Sequence, residues 1–275
     1  MPPQQPSYGS QEYWNKHFTS NSSPFEWLEA PTALDPYIVD ALENIDDQGQ
    51  RILHIGSGTS LLSYHLRTFV KDPEGIHNLD YSDVAVELGK QRELEIFDVE
   101  EQLHGPDEAK SKYMRWSSVD LLSYSCLLET CKPYRYSVIV DKSTSDSIAC
   151  ADDVYVPLPY PISTNTPEES TLQKAKSPEP IHPLSILAIH LALVTKPQAR
   201  WISLSYSQDR YPFLENPPPF AHGPPNPSKL WRLLSKHEIE VSEEPTSNGA
   251  VTTHRPKVLH WVYVLERTEL KVYTR

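Results

Sequence analysis

The stretch 51–81, RILHIGSGTSLLSYHLRTFVKDPEGIHNLDY, limits the possible folds more than any other part of the chain. It opens on an apolar run, Ile52-Leu53-His54-Ile55, of the kind that makes a short buried strand. A glycine-rich turn follows, Gly56-Ser57-Gly58-Thr59-Ser60. Leu61, Leu62, His65, Leu66 and Phe69 are then spaced to cover one face of an amphipathic helix. A second apolar run over 76–79 ends in Asp80. Strand, glycine turn, helix, strand and terminal acid form the first half of a Rossmann-type α/β unit. The acid falls about 20 residues past the glycines, where it reaches a ribose diol.

The turn carries its own chemistry. Gly56 lets the chain leave the strand sharply, and Gly58 lets backbone approach a ligand with no Cβ in the way. The N–H groups of Thr59, Ser60 and Leu61 begin the helix without partners inside it, which favours a carboxylate or phosphate there. A dinucleotide fingerprint wants a third glycine at position 61, and Leu61 argues against NAD. An adenosyl ligand with an amino-acid tail and no pyrophosphate fits better. A βαβ turn with unrelated glycines would read the same over these few residues.

A chain of 275 residues can hold one large α/β domain or two small ones. Hydrophobic residues make up only 38% and there are 26 prolines, so part of the length is loop rather than core. The net charge of −12 argues against a nucleic-acid backbone as the main partner. Cys126, Cys131 and Cys150 are odd in number and lack metal-ligand spacing, so neither a disulfide framework nor a metal site is expected. The start, MPPQQPSYGSQ, has no apolar signal core, and the longest apolar run, 183–194, is too short to cross a membrane. These features point to a soluble, cytoplasmic protein with neither nucleic acid nor membrane as partner.

Residues 1–10 read as a disordered tail. An aromatic cluster follows before any strand: Tyr13, Trp14, Phe18, Phe25 and Trp27. It reads either as a helical lid packed on the core or as rings closing over a ligand, so 1–30 is set apart from a domain over 31–275. A helix is expected over 36–44, with Ile38, Val39 and Leu42 on one face. Ser82 caps another that carries Val84, Val86 and Leu88, and 100–112 reads as polar loop. Further strands are expected over 113–119, 134–140, 199–207 and 259–265, with a short one over 239–241. Helices are expected over 182–194 and over 229–237, the latter carrying Leu230, Leu233 and Leu234. Proline-rich insertions fall at about 152–182, read as mobile, and at 212–227. The pattern is a doubly wound, Rossmann-like α/β sheet of seven strands, mostly parallel, with an antiparallel C-terminal strand.

Asp80, Asp120 and Asp141 each stand just after an expected strand, at the edge where such sheets bind ligands. In company with YWNKHF, PFEW, ILHIGSGTSLLSYHL, NLDYSDVAV, MRWSSVDLLS and VIVDKSTSDSIA, the chain resembles the seven-strand S-adenosylmethionine-dependent methyltransferases. Within them it is most similar to the methyltransferase-like elongation factor 1-alpha lysine methyltransferases. The resemblance spans about 13–151 and is loose in the C-terminal third. It implies S-adenosyl-L-methionine as cofactor. By motif, Trp14, Phe18 and Trp27 contact the cofactor, Gly56 and Gly58 lie beneath its methionine part, and Asp80 holds the ribose with Tyr81 beside the adenosine. Asp120 and Leu121 flank the adenine, and Lys142 aligns with a cofactor-contacting lysine. Asp141 and Asp146 lie in the stretch needed for activity.

The sequence also departs from the family. The pattern DKGTLDA is Asp141-Lys142-Ser143-Thr144-Ser145-Asp146-Ser147 here, His54 replaces an acid in the first strand, and Phe18 replaces a tyrosine. The resemblance implies a protein-lysine N-methyltransferase with a translation elongation factor as protein substrate. The altered 143–147 block and the proline-rich insertion motivate a small-molecule methyltransferase as one alternative, and a non-catalytic methyltransferase-like interaction protein is the other.

Overall fold

The computed structural model describes residues 6–44, 49–104, 113–165, 175–215, 223–241 and 257–275. Its centre is Ile52–Ile55 (β1), buried along its whole length. Parallel strands flank it on both sides: Ile76–Asp80 (β2) and then Arg115–Ser118 (β3) on one, Tyr136–Lys142 (β4) and then Thr195–Ser205 (β5) on the other. Leu259–Arg267 (β7) runs antiparallel to β5 and to the edge strand Trp231–Glu240 (β6). The seven-stranded order is thus β3-β2-β1-β4-β5-β7-β6, the mostly parallel sheet with one reversed C-terminal strand that the sequence pattern implies.

The period of two along each strand divides the core between two faces. Leu53, Ile55, Ile139 and Trp201 pack on one face against helices Tyr124–Cys131 (α5) and Pro183–Val194 (α7). Every residue of α7 is buried, as expected for a helix that is apolar all round. Ile52, Val138, Val140, Ile202 and Leu204 face the other way, against Asp35–Glu43 (α2) and Leu62–His65 (α3). The remaining α-helices among the described residues are Gln11–Ser20 (α1), Asp83–His104 (α4), Thr144–Ile148 (α6) and Pro227–Leu230 (α8).

Several expectations need correction. The helix over 229–237 is absent: only α8 is helical, and from Trp231 the chain is strand β6, paired to β7. The helical spacing of Leu230, Leu233 and Leu234 misleads, because Leu233 and Leu234 are each 43% exposed on an edge strand. The helix after the glycine turn is a single α-turn continued by a 3-10 turn, and Leu61 is exposed. α4 runs on to His104, into the expected loop, whose residues 105–112 lie outside the described ones. The insertion at 152–182 is tied down where it is described. Val154 bridges to Ile181, Ile162–Ser163 pairs with Tyr273–Thr274, and Val156, Tyr160 and Ile162 are buried. Its residues 166–174, and 216–222 of the second insertion, lie outside the described residues. So do residues 1–5 of the expected tail, whereas Tyr8 packs edge-on to Tyr13 and Trp27.

Candidate active site

The ends of β1, β2 and β4 and the turn after β3 surround a cavity of about 460 Å3. The glycine turn makes its floor. Ser57 N–H donates to the Leu79 carbonyl (3.0 Å), closing the end of β1 onto β2. Gly56 has φ +61°, and a Cβ there would lie 2.0 Å from Thr144 Oγ1, so only glycine fits. The Gly58 N–H donates to Asp80 Oδ2 (2.7 Å). Asp80 also accepts from the Ser82 N–H (2.8 Å) and is buried, and burial pushes its pKa up to about 6 against those hydrogen bonds. The Asp80 carboxylate keeps acceptor capacity for a hydroxyl. After β3, Asp120 accepts from the Leu122 N–H (2.8 Å). The Leu121 carbonyl accepts from His190 Nδ1 (2.9 Å), so that nitrogen carries the proton and Nε2 accepts from Tyr160 OH (2.7 Å).

The aromatic cluster forms the facing wall. Trp14 stacks on Phe18, ring centroids 5.6 Å apart, and meets Trp27 edge-on at 6.3 Å. The cluster is both core and cavity lining: Phe18 is buried, while Trp27 is 37% exposed and lines the cavity. Ser82 OH donates to Asn15 Oδ1 (2.5 Å), anchoring α1 beside Asp80. The free N–H expected at Leu61 is not free. It donates to Glu26 Oε1 (2.6 Å), and Ser60 OH donates to Glu26 Oε2 (2.7 Å). A carboxylate of the chain itself fills that seat.

All ten residues expected to hold a cofactor line this cavity: Trp14, Phe18, Trp27, Gly56, Gly58, Asp80, Tyr81, Asp120, Leu121 and Lys142. Lys142 is turned largely to structure. Its buried ammonium pairs with Glu26 and donates to the Glu29 carbonyl (2.8 Å); burial lowers its pKa and Glu26 opposes that. Asp146 lines the cavity as well, but its carboxylate is engaged by Ser205 OH (2.5 Å), the Tyr206 N–H (3.2 Å) and Arg210 Nε (2.8 Å).

Asp141 is not brought to the cavity wall. It is fully buried and accepts from Thr144 N–H (3.0 Å), Ser145 N–H (3.2 Å) and Ser145 OH (2.5 Å), so it shapes the start of α6. Burial raises its pKa to about 6. His54, where the resemblance leads one to expect an acid, lines the cavity with Nδ1 3.0 Å from Ser63 Oγ and 3.1 Å from Asn78 Oδ1; burial lowers its pKa to about 4, so it is neutral at pH 7. Sequence reasoning missed Glu26, Tyr206 and Arg210. None of the three has a local signal, and Tyr206 falls inside the strand expected over 199–207, whereas the strand ends at Ser205.

No protein-family model matches the chain. It is 27% identical over 266 residues to the methyltransferase srdJ of Neurospora crassa, covering 96% of this chain and 85% of that protein. Its fold is similar to that of a SAM-dependent methyltransferase from Anabaena variabilis, with a TM-score of 0.54 at 13% identity over 97% of this chain and 96% of that one. It is also similar to magnesium protoporphyrin IX methyltransferase from Synechocystis with bound SAM, with a TM-score of 0.51 at 10% identity over 98% of this chain and 100% of that one. The chain has the class I S-adenosylmethionine-dependent methyltransferase fold. Homologue and fold together support a transferase enzyme with S-adenosylmethionine as its cofactor.

The cavity of this methyltransferase fold suits that cofactor. Asp80 offers acceptor oxygens at the end of β2, and the glycine turn leaves room that a Cβ at Gly56 would close. Aromatic faces stand ready for a sulfonium, and two buried hydroxyls on the wall, those of Ser57 and Ser143, make no hydrogen bond within the chain. Among the described residues no helix is long and apolar enough to cross a membrane, and no group of three or more His, Cys, Asp or Glu is placed to hold a metal ion.

Proposed function

We propose that this methyltransferase acts on a small, uncharged acceptor, with the segment up to about residue 30 serving as its aromatic lid. The observation that carries this is the state of Asp146. A lysine ammonium entering beside α6 needs a free carboxylate, and the one on the wall there is already held by Arg210, Ser205 and the Tyr206 N–H. The wall is otherwise mainly aromatic and aliphatic, with Phe25, Trp27 and Tyr206 towards the outside. A methyltransferase fold does not dictate a protein acceptor, since the Synechocystis enzyme is named for a porphyrin. Lysine methylation of a translation elongation factor is the second reading. It is favoured by the YWNKHF and PFEW blocks and by Asp146 lining the cavity at all.

When bound, the cofactor supplies an electrophilic methyl carbon on a sulfonium. Asp80 would hold its ribose and Asp120 its adenine amino group. Trp14 and Trp27 would stabilise the positive sulfur by about 0.5–2 kcal/mol. The lid keeps water out and holds the reactants in line, which is most of what methyl transfer asks of a protein. Incubation with methyl-labelled S-adenosylmethionine and either a dialysed protein fraction or a deproteinised extract tests the proposal. Label in small molecules supports it, label in one protein band supports the lysine reading, and label in neither means a non-catalytic interaction protein.

A further inference from the structure

Among the described residues three buried side-chain polar atoms make no hydrogen bond, and two of them, Ser57 Oγ and Ser143 Oγ, belong to residues that line the same cavity. Ser57 follows β1 in the glycine turn, and Ser143 follows β4. The two strands are neighbours, with Ile55 opposite Asp141, so the two hydroxyls leave adjacent strand ends. A buried hydroxyl without a partner costs stability, and one such group in a native fold asks for a reason.

Ser143 adds a second cost. Its φ is +67°, in the left-handed region that glycine enters freely and serine does not, and its N–H is held there by the Leu204 carbonyl (3.0 Å). A glycine would relieve that strain, and strained residues gather at functional sites. The order of the sheet says which part of a ligand these groups meet. Asp120 after β3 and Asp80 at the end of β2 stand in sequence along the edge, suited to adenine and ribose; the ends of β1 and β4 come next, where the amino-acid tail must lie. The donors at Ser60 and Leu61, which could have taken a tail carboxylate, are occupied by Glu26.

We propose that Ser143 and Ser57 are cofactor-binding residues whose hydroxyls hydrogen-bond the aminoacyl end of S-adenosylmethionine. The proposal rests on the cofactor and is independent of the acceptor. Titration calorimetry with S-adenosylhomocysteine and with 5′-methylthioadenosine, which lacks the tail, tests it on the full chain. Ser143→Ala and Ser57→Ala should each weaken S-adenosylhomocysteine by about tenfold, as for loss of a hydrogen bond to a charged group, and leave methylthioadenosine within twofold. Ser143→Gly should weaken S-adenosylhomocysteine equally while raising the melting temperature, which separates contact from fold. Unchanged S-adenosylhomocysteine affinity in both alanine variants, or equal loss for both ligands, overturns the proposal. A wild type that binds neither ligand overturns the cofactor assignment and this proposal with it.

Discussion

The Glu26 carboxylate and the Lys142 ammonium pair beside the cavity, joining residues 116 apart in sequence. Lys142 keeps only 3% of its side chain exposed and also holds the Glu29 carbonyl, while Glu29 Oε1 meets His260 Nδ1 on β7 (2.7 Å). Through Ser60 and Leu61 the same Glu26 reaches the glycine turn. The segment carrying Phe25, Trp27 and Leu28 is thereby fastened to the ends of three strands. The aromatic wall is set by a polar latch as well as by packing.

Glu26→Gln should therefore cost about 1–3 kcal/mol. That is less than a fully buried pair would lose, because Glu26 keeps a quarter of its surface in water, yet substantial because Lys142 is left buried without its counter-charge. Cofactor affinity should fall at the same time, because the wall loosens. Urea denaturation and calorimetry check both effects, and Lys142→Met added to Glu26→Gln should recover most of the stability. A single variant as stable as wild type would show that the latch contributes nothing.

The two glycines of the turn should respond unequally to alanine. At Gly56 the new Cβ meets Thr144 Oγ1 at 2.0 Å in a left-handed conformation, so strain and overpacking add to about 2–5 kcal/mol. At Gly58 the nearest atom, in the Phe18 ring, is 3.4 Å away, so only the backbone cost of about 1–2 kcal/mol applies. Melting curves of both variants measure the difference. Equal losses would mean that Thr144 yields and that the turn is looser than its geometry implies.

The turn and its acid were legible because they are local: an apolar run, glycines and a strand-ending carboxylate lie within one short stretch. Edge strand β6 was not, since its leucines happen to fall at helical spacing and its pairing with β7 is decided outside it. Asp80 and Asp141 look alike in the sequence, each closing a strand. The pleat separates them. Asp141 shares the face of Ile139, where Ser145, Trp201 and Ser203 enclose it, whereas Asp80 opens onto the cavity. Glu26 could be found only by knowing what lies across the fold from it.

Asp80 gives the site a pH dependence. Its folded pKa of about 6 lies above the ordinary 3.8, so its contribution to folding is fully present below 3.8 and is lost as pH rises through about 6. Cofactor binding should follow the opposite course, because the ionised carboxylate is the better acceptor for ribose hydroxyls. Affinity for S-adenosylhomocysteine should be level above pH 7 and fall as pH drops through about 6. Asp80→Asn should flatten that profile while binding more weakly throughout. A wild-type profile level from pH 5 to 8 would remove Asp80 from the ribose contact.

Asp146 and Arg210 make the sharpest case for separating support from chemistry. Arg210 is 8% exposed, and its Nε lies 2.8 Å from Asp146 Oδ1, whose other oxygen accepts from the Tyr206 N–H. Asp146→Asn preserves shape but strands a buried guanidinium, so it should destabilise the fold by about 3–5 kcal/mol. Arg210→Met should be similarly costly, because it strands the carboxylate. The double variant should be much closer to wild type, giving a coupling of about 2–3 kcal/mol in a double-mutant cycle by urea denaturation. In that folded double variant, cofactor affinity should stay within about threefold of wild type, since neither group is assigned to the cofactor, and methyl transfer should fall at least tenfold as Tyr206 loses its anchor. Additive stability losses would deny the ion pair its structural weight. Undiminished transfer in the double variant would clear Asp146 of any part in the reaction.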